Sequence, residues 1–367
     1  MVEERKKESG GISRREFLKD AACLLVGGAA LGSAALLSAC GGDGGTTTGT
    51  TTRPVQPILY YKACHQWAVD DVRDKMIRAF GAMVKERTGG SVELYYYPNQ
   101  ALFKARDQWD ALRTGALDMA VLPLDYASGK VPELSVTLMP CLLTNAAQGL
   151  TWKDKPIGHE VDRLMLEDYG VRHVVWAWAD GSPGSKISQI ILPQDMNGHK
   201  LRAAGRKFEF MCIEAGATIS SIPSAEIYHA LTTGVLDSAF TSSASWITFR
   251  LYEQVKYLNV PLNNCVWFME QGIYISEKKY NKMTDEQKRI FNECAQEIQN
   301  EWVPTNFTMD TQRVIELFGQ VGVELYYMTD NEWNTWYEYA QQTSWKNFVE
   351  TTQDGQWWLD MAIEASR

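Results

Sequence analysis

The sequence predicts an α/β protein of two similar lobes that face one ligand cleft, and three observations carry that reading. From Ile58 onward, apolar strands alternate with amphipathic helices. The run "ALRTGALDMA" from Ala111 returns as "ALTTGVLDSA" from Ala230, with seven of ten positions identical. The chain has 367 residues, 45% of them hydrophobic, which is ample for about two packed domains.

The first elements lie outside the fold. "SRREFLKD" (Ser13 to Asp20) precedes a weakly apolar run, "AACLLVGGAALGSAALLSAC", and the pair resembles a twin-arginine export signal at 1–39. Gly27, Gly28, Gly32 and Ser33 make that run a poor bilayer span. "LLSACGG" resembles a lipoprotein cleavage site, so Cys40 is expected to carry lipid at the new N-terminus. "GGDGGTTTGTTTRP" then lacks any large apolar side chain and reads as a flexible tether, placed at 40–57.

The body begins with "ILYYKAC", an apolar-aromatic strand. "DDVRDKMIRAFGAMVKERTGG" sets Val72, Met76, Phe80 and Val84 at helical spacing and stops at Gly89. "SVELYYYP" is the next strand, and the β-α-β order implies largely parallel sheets covered by helices. Each copy of the repeated decapeptide reads as a helix ending at glycine and then a short strand. Two such units 119 residues apart suit two α/β lobes. Because ligands sit beyond the carboxyl ends of strands in such sheets, Leu122 to Tyr126 and Thr241 to Ser242 would face one cleft from opposite lobes. "TDEQ" from Thr284 is a capping box, and Pro304 should kink or break the helix that follows. The aromatics after Thr329 fall at i, i+3 and i+4, the spacing of a lobe-covering core.

Composition excludes several classes. The net charge is −9; residues 1–39 carry +1, leaving −10 on the rest, which argues against nucleic acid as a partner. Cys64, Cys141, Cys212, Cys265 and Cys294 are scattered without CxxC spacing. Buried free thiols fit this better than a disulfide framework or zinc site, with one bridge as the alternative. His65, His159, His173, His199 and His229 show no metal-ligand spacing, and no nucleotide loop or nucleophile elbow occurs. No cofactor and no metal are expected.

Longer stretches then carry a resemblance. "TGGSVELYYYPNQALFKARDQWDALRTGALDMAVLPLDYASGKVPEL" and "LPQDMNGHKLRAAG…SSIPSAEIYHALTTGVLDSAF…YEQVKYL…YISEKKYNKMTDEQKRIF" are similar to the two halves of TRAP-transporter extracytoplasmic receptors (the DctP-like family), with motif order and spacing kept. The resemblance implies the two-lobed periplasmic binding protein fold, with a hinge and a cleft between lobes. It divides the body into 58–179 plus 267–310 and 180–266 plus 311–367. It also implies an organic acid ligand, delivery to TRAP integral membrane subunits, and a periplasmic or extracytoplasmic location on a lipid anchor.

In such receptors the arginine of the "KLR" strand pairs with the ligand carboxylate, and that position here is Arg202, expected to face the cleft without an internal partner. A guanidinium fork takes both carboxylate oxygens. Thr241 falls at a ligand-contact position, Ser224 and Tyr126 at pocket-lining positions, and Gln66 with Trp67 at the mouth of the first strand. Many relatives carry a second arginine before the "PQD" element, where this chain has "WADGSPGSKIS". A monocarboxylate is therefore expected over a dicarboxylate. A receptor that hands its closed form to a signalling protein is the alternative. A lipid-linked hydrolase is a further one, and it would need a nucleophile and base that the sequence does not show.

Overall fold

The computed structural model describes residues 57–262 and 264–367, so the expected signal peptide, Cys40 and nearly all of the tether lie outside the described residues. Leu59–His65 forms β1, and the helix Val72–Arg87 follows, opened by Asp71, whose side chain accepts the Arg73 amide. Val72, Met76, Phe80 and Val84 are all buried, as their spacing predicts. β2 (Val92–Tyr97) and β3 (Met119–Val121) run parallel to β1 on its two sides. β4 (Val171–Val175) closes the first lobe's sheet.

The second sheet is built from β5 (Trp178–Ser185), β6 (Lys200–Arg202), β7 (Thr218–Ile219), β8 (Ser238–Ser242), β9 (Tyr257–Asn259), β10 (Trp267–Glu270) and, after a return to the first lobe, β12 (Glu324–Tyr326). Its order is β12-β9-β5-β8-β6-β7, with β10 also on β5. β11 (Ile273–Ser276) inserts between β3 and β4, giving the first sheet the order β2-β1-β3-β11-β4.

The repeated decapeptide holds equivalent places in both sheets. The helices Gln108–Thr114 and Ile227–Thr232 lead to Gly115 at φ 78° and Gly234 at φ 75°, left-handed turns that glycine adopts without strain. β3 and β8 follow, each beside a parallel strand: Cys64 of β1 lies opposite Ala120, and Arg202 of β6 opposite Ala239. The repeat's aspartates do the same work. Asp118 Oδ2 accepts the Lys62 amide at 2.8 Å, and Asp237 Oδ2 accepts the Lys200 amide at 3.2 Å.

The sheets are less parallel than expected. β11 is antiparallel to β3 and β4, and β5 is antiparallel to β8, β9 and β10. Both strands enter their sheet from the other lobe rather than through a crossover helix, so the direction rule for βαβ units does not govern them. The two crossings, 176–177 and 271–272, are joined by a 2.7 Å bond from the Gln271 amide to the Ala177 carbonyl.

The expected division of the chain needs two changes. Residues 178–179 and 267–270 belong to the paired strands β5 and β10 of the second sheet, although both were expected in the first lobe. The helix Gly355–Ala365 leads back to the segment between β3 and β4, where Ser366 accepts bonds from Gln148 Nε2 (2.8 Å) and Trp152 Nε1 (3.3 Å). The helix Met309–Gln320 sets its Phe318 edge-on against Trp246 at 6.0 Å. Pro304 opens a new helical segment, Val303–Phe307, after the widened turn Ile298–Trp302. Trp336 and Trp345 are buried in the core, as their spacing predicts. Among the described residues no helix is long and apolar enough to cross a membrane.

Candidate functional site

Arg202 ends β6 and is 1% exposed. Its Nε donates to the Ile222 carbonyl (2.9 Å), Nη1 to the Phe240 carbonyl (2.8 Å) and Nη2 to the Tyr126 hydroxyl (2.9 Å). The expectation of no internal partner is thus corrected: three partners are present, all uncharged, because β8, the loop after β7 and the turn after β3 each bring an oxygen against the guanidinium. A guanidinium has five N–H groups, so one on each Nη remains. Burial lowers its affinity for its proton, yet an arginine stays charged inside a protein. Among the ion pairs of the described residues, none involves Arg202.

Tyr126 reaches Arg202 from the first lobe. Its hydroxyl accepts from Arg202 and from the Ser224 amide (3.1 Å), leaving its own proton free to donate. Ser224 meets the site through that backbone N–H. The Arg106 guanidinium covers the Tyr126 ring at 4.8 Å. Strand register supplies the next wall: Thr241 lies two residues beyond Ala239, the partner of Arg202, and directly opposite Ser182 of β5. Arg202, Thr241 and Ser182 therefore share one face of the sheet.

At the carboxyl end of β1, Gln66 is 2% exposed and Trp67 fully buried. Neither atom of the Gln66 amide has a hydrogen-bond partner, and the same holds for Trp67 Nε1 and Ser182 Oγ. Buried polar atoms are nearly always partnered, and these four are among the exceptions of the described residues. Trp67 also packs. The Arg73 guanidinium lies 4.1 Å from its ring centroid.

Arg73, missed in the sequence, is the other fully buried arginine of the cleft. Asp71 neutralises it at 2.6 Å, and Ser242 Oγ (2.9 Å) and Gln271 Oε1 (2.7 Å) accept its Nη1 protons. In "DDVRDK" it reads as a solvated helix start, and only the approach of the other lobe buries it. Ser182 was legible only through its register with Thr241. Lys186, a potential second cation, donates to the Leu231 carbonyl at 2.6 Å.

A Ser–His contact does occur, Ser188 Oγ to His199 Nε2 at 3.0 Å, but the second imidazole nitrogen meets the Ser238 hydroxyl rather than a carboxylate. That arrangement lacks the oriented base a hydrolase needs.

Residues 63–352 match the model of the bacterial extracellular solute-binding proteins, family 7. The chain belongs to this family. A solute-binding protein of Albidiferax ferrireducens is 34% identical over 278 residues, covering 76% of this chain and 82% of the relative. A TRAP periplasmic solute-binding protein of Rhodoferax ferrireducens, crystallised with malonate, superposes with a TM-score of 0.79 at 32% identity, over 83% of this chain and 97% of that one. A Bordetella pertussis extracytoplasmic solute receptor holding pyroglutamic acid shares the fold at 15% identity, with a TM-score of 0.75 over 83% of this chain and 99% of its own. Solute capture, not catalysis, is the business of this family.

Proposed function

We propose that the protein is the receptor of a TRAP-type secondary transporter that captures a small polar monocarboxylic acid on Arg202 and delivers it to the membrane subunits. One observation carries the reading: a fully buried guanidinium with no carboxylate of its own and one N–H group left over on each Nη. An isolated buried charge is unfavourable by several kcal/mol, and a ligand carboxylate taking both N–H groups offsets it. The Tyr126 hydroxyl and Thr241 complete the carboxylate end. Gln66, Ser182 and Trp67 Nε1 suit hydroxyl, oxo or amide groups at the distal end. No second free guanidinium faces them: Arg73 is neutralised by Asp71, and Arg106 and Arg206 are exposed. Cys40, through its lipid, would hold the body at the membrane surface.

A melting-temperature screen tests this with pyroglutamate, glucuronate, malonate and succinate. A bound acid at about 100 times its Kd adds roughly 2.7 kcal/mol of stability. A panel in which no carboxylate raises the melting temperature, while neutral polyols do, would overturn the proposal.

A further inference from the structure

Gly205 follows Arg202 by three residues and caps the second-lobe helix Arg206–Glu214. Its backbone is extended, at φ −138° and ψ 156°, a conformation any residue adopts. Its own lobe therefore gives no reason for glycine. The reason comes from the first lobe. A Cβ placed on Gly205 would lie 1.8 Å from Asp125 Oδ2 and 2.4 Å from the carboxyl carbon. Asp125 belongs to the turn Leu124–Ala127, directly after β3 of the first sheet. It is 2% exposed, and its Oδ2 has no hydrogen-bond partner. A second contact of the same kind lies beside it, with the Arg206 guanidinium against Gly129 at 3.3 Å from the Cβ position. The neighbour of Asp125, Tyr126, is the residue that bonds Arg202.

We propose that Asp125 and Gly205 form a closure lock, the carboxyl of one lobe seating in a notch of the other only when the cleft has shut around Arg202. Both are positioning residues: neither needs to touch the solute, and both set how much of the protein reaches the binding-competent shape. A side chain at Gly205 blocks seating without disturbing either lobe alone. The apparent Kd then rises as the competent fraction falls. The idea rests on the carboxylate reading only where an acid serves as the probe.

Two arms test it on the full chain. In the first, Asp125→Cys/Gly205→Cys is treated with a mild oxidant, with Asp125→Cys alone as control. A bond between the lobes, seen by mass and as a reduced scattering radius, is expected for the pair only, and its absence would overturn the lock. In the second arm, malonate and pyroglutamate titrations compare Gly205→Ala, Asp125→Ala and the double variant. Gly205→Ala should bind at least ~10-fold more weakly at an unchanged melting temperature, and the double variant should return to within ~3-fold of Asp125→Ala. A double variant as weak as Gly205→Ala also overturns the lock. Failure of the wild type to bind either acid would count against the carboxylate reading instead, leaving the cross-link to decide.

Discussion

Replacing Arg202 by alanine separates capture from folding. On the folding side, the change removes three hydrogen bonds, to Ile222, Phe240 and Tyr126, each contributing about 1.5–3 kcal/mol as bonds from a charged donor. It also removes a buried, unneutralised charge, whose desolvation penalty is several kcal/mol of opposite sign. The two effects largely cancel, so the variant should unfold within about 2 kcal/mol of the wild type. On the binding side nothing cancels. Losing one partner of a buried charged pair costs at least ~3 kcal/mol, roughly 150-fold in Kd. Arg202→Lys should recover only part of this, since an ammonium cannot bond three protein acceptors and also offer a two-pronged face. Calorimetry with the acid giving the largest melting shift, on wild type and both variants, measures it. Normal binding by Arg202→Ala together with easier unfolding would show that the arginine serves the fold and that the carboxylate site lies elsewhere.

Monocarboxylates should raise the melting temperature more than dicarboxylates of similar size, because a second carboxylate would be desolvated without a partner; a clear succinate preference over pyroglutamate in the same screen would refute this. Replacing Arg14 and Arg15 by lysine should leave precursor in the cytoplasm on fractionation, and Cys40→Ala should abolish lipid labelling; full export of the double-lysine form would count against the twin-arginine reading. His173 is buried between Asp162 (3.0 Å) and Glu270 (3.3 Å), and although burial alone would depress it, the two carboxylates lift it to about 9. Its unfolded value is about 6.5, so its stabilisation is fully present below that pH and is lost as pH rises through about 9. Denaturant melts between these values should show the decline, up to ~3 kcal/mol, and His173→Gln should flatten it.

Much of the fold was readable because its signals are local. Helical spacing placed Val72, Met76, Phe80 and Val84 inside, and the repeat placed β3 and β8 at equivalent positions. Arg202 was readable through its motif. What escaped depends on contacts between distant segments. No local pattern shows that residues 267–270 join β5, or that the last helix leads back to Trp152. Arg73 looks solvated in its own helix, and its burial depends on Ser242 and Gln271, which lie 169 and 198 residues away. Gly205 looks like an ordinary loop glycine until the Asp125 carboxyl is seen against it.

The five cysteines of the body bear on where the protein can finish folding. Cys64, Cys141, Cys212, Cys265 and Cys294 are all free and buried, and burial pushes the thiols of Cys141, Cys212 and Cys265 well away from the reactive thiolate. A body with no bridge to form needs neither an oxidant nor an isomerase, and its sulfur is shielded from both once the core has closed. It can therefore reach its final shape in a reducing compartment and cross a membrane already folded, with nothing left for the oxidising side to complete. The sulfur chemistry of this core thus suits the export route expected from Arg14 and Arg15.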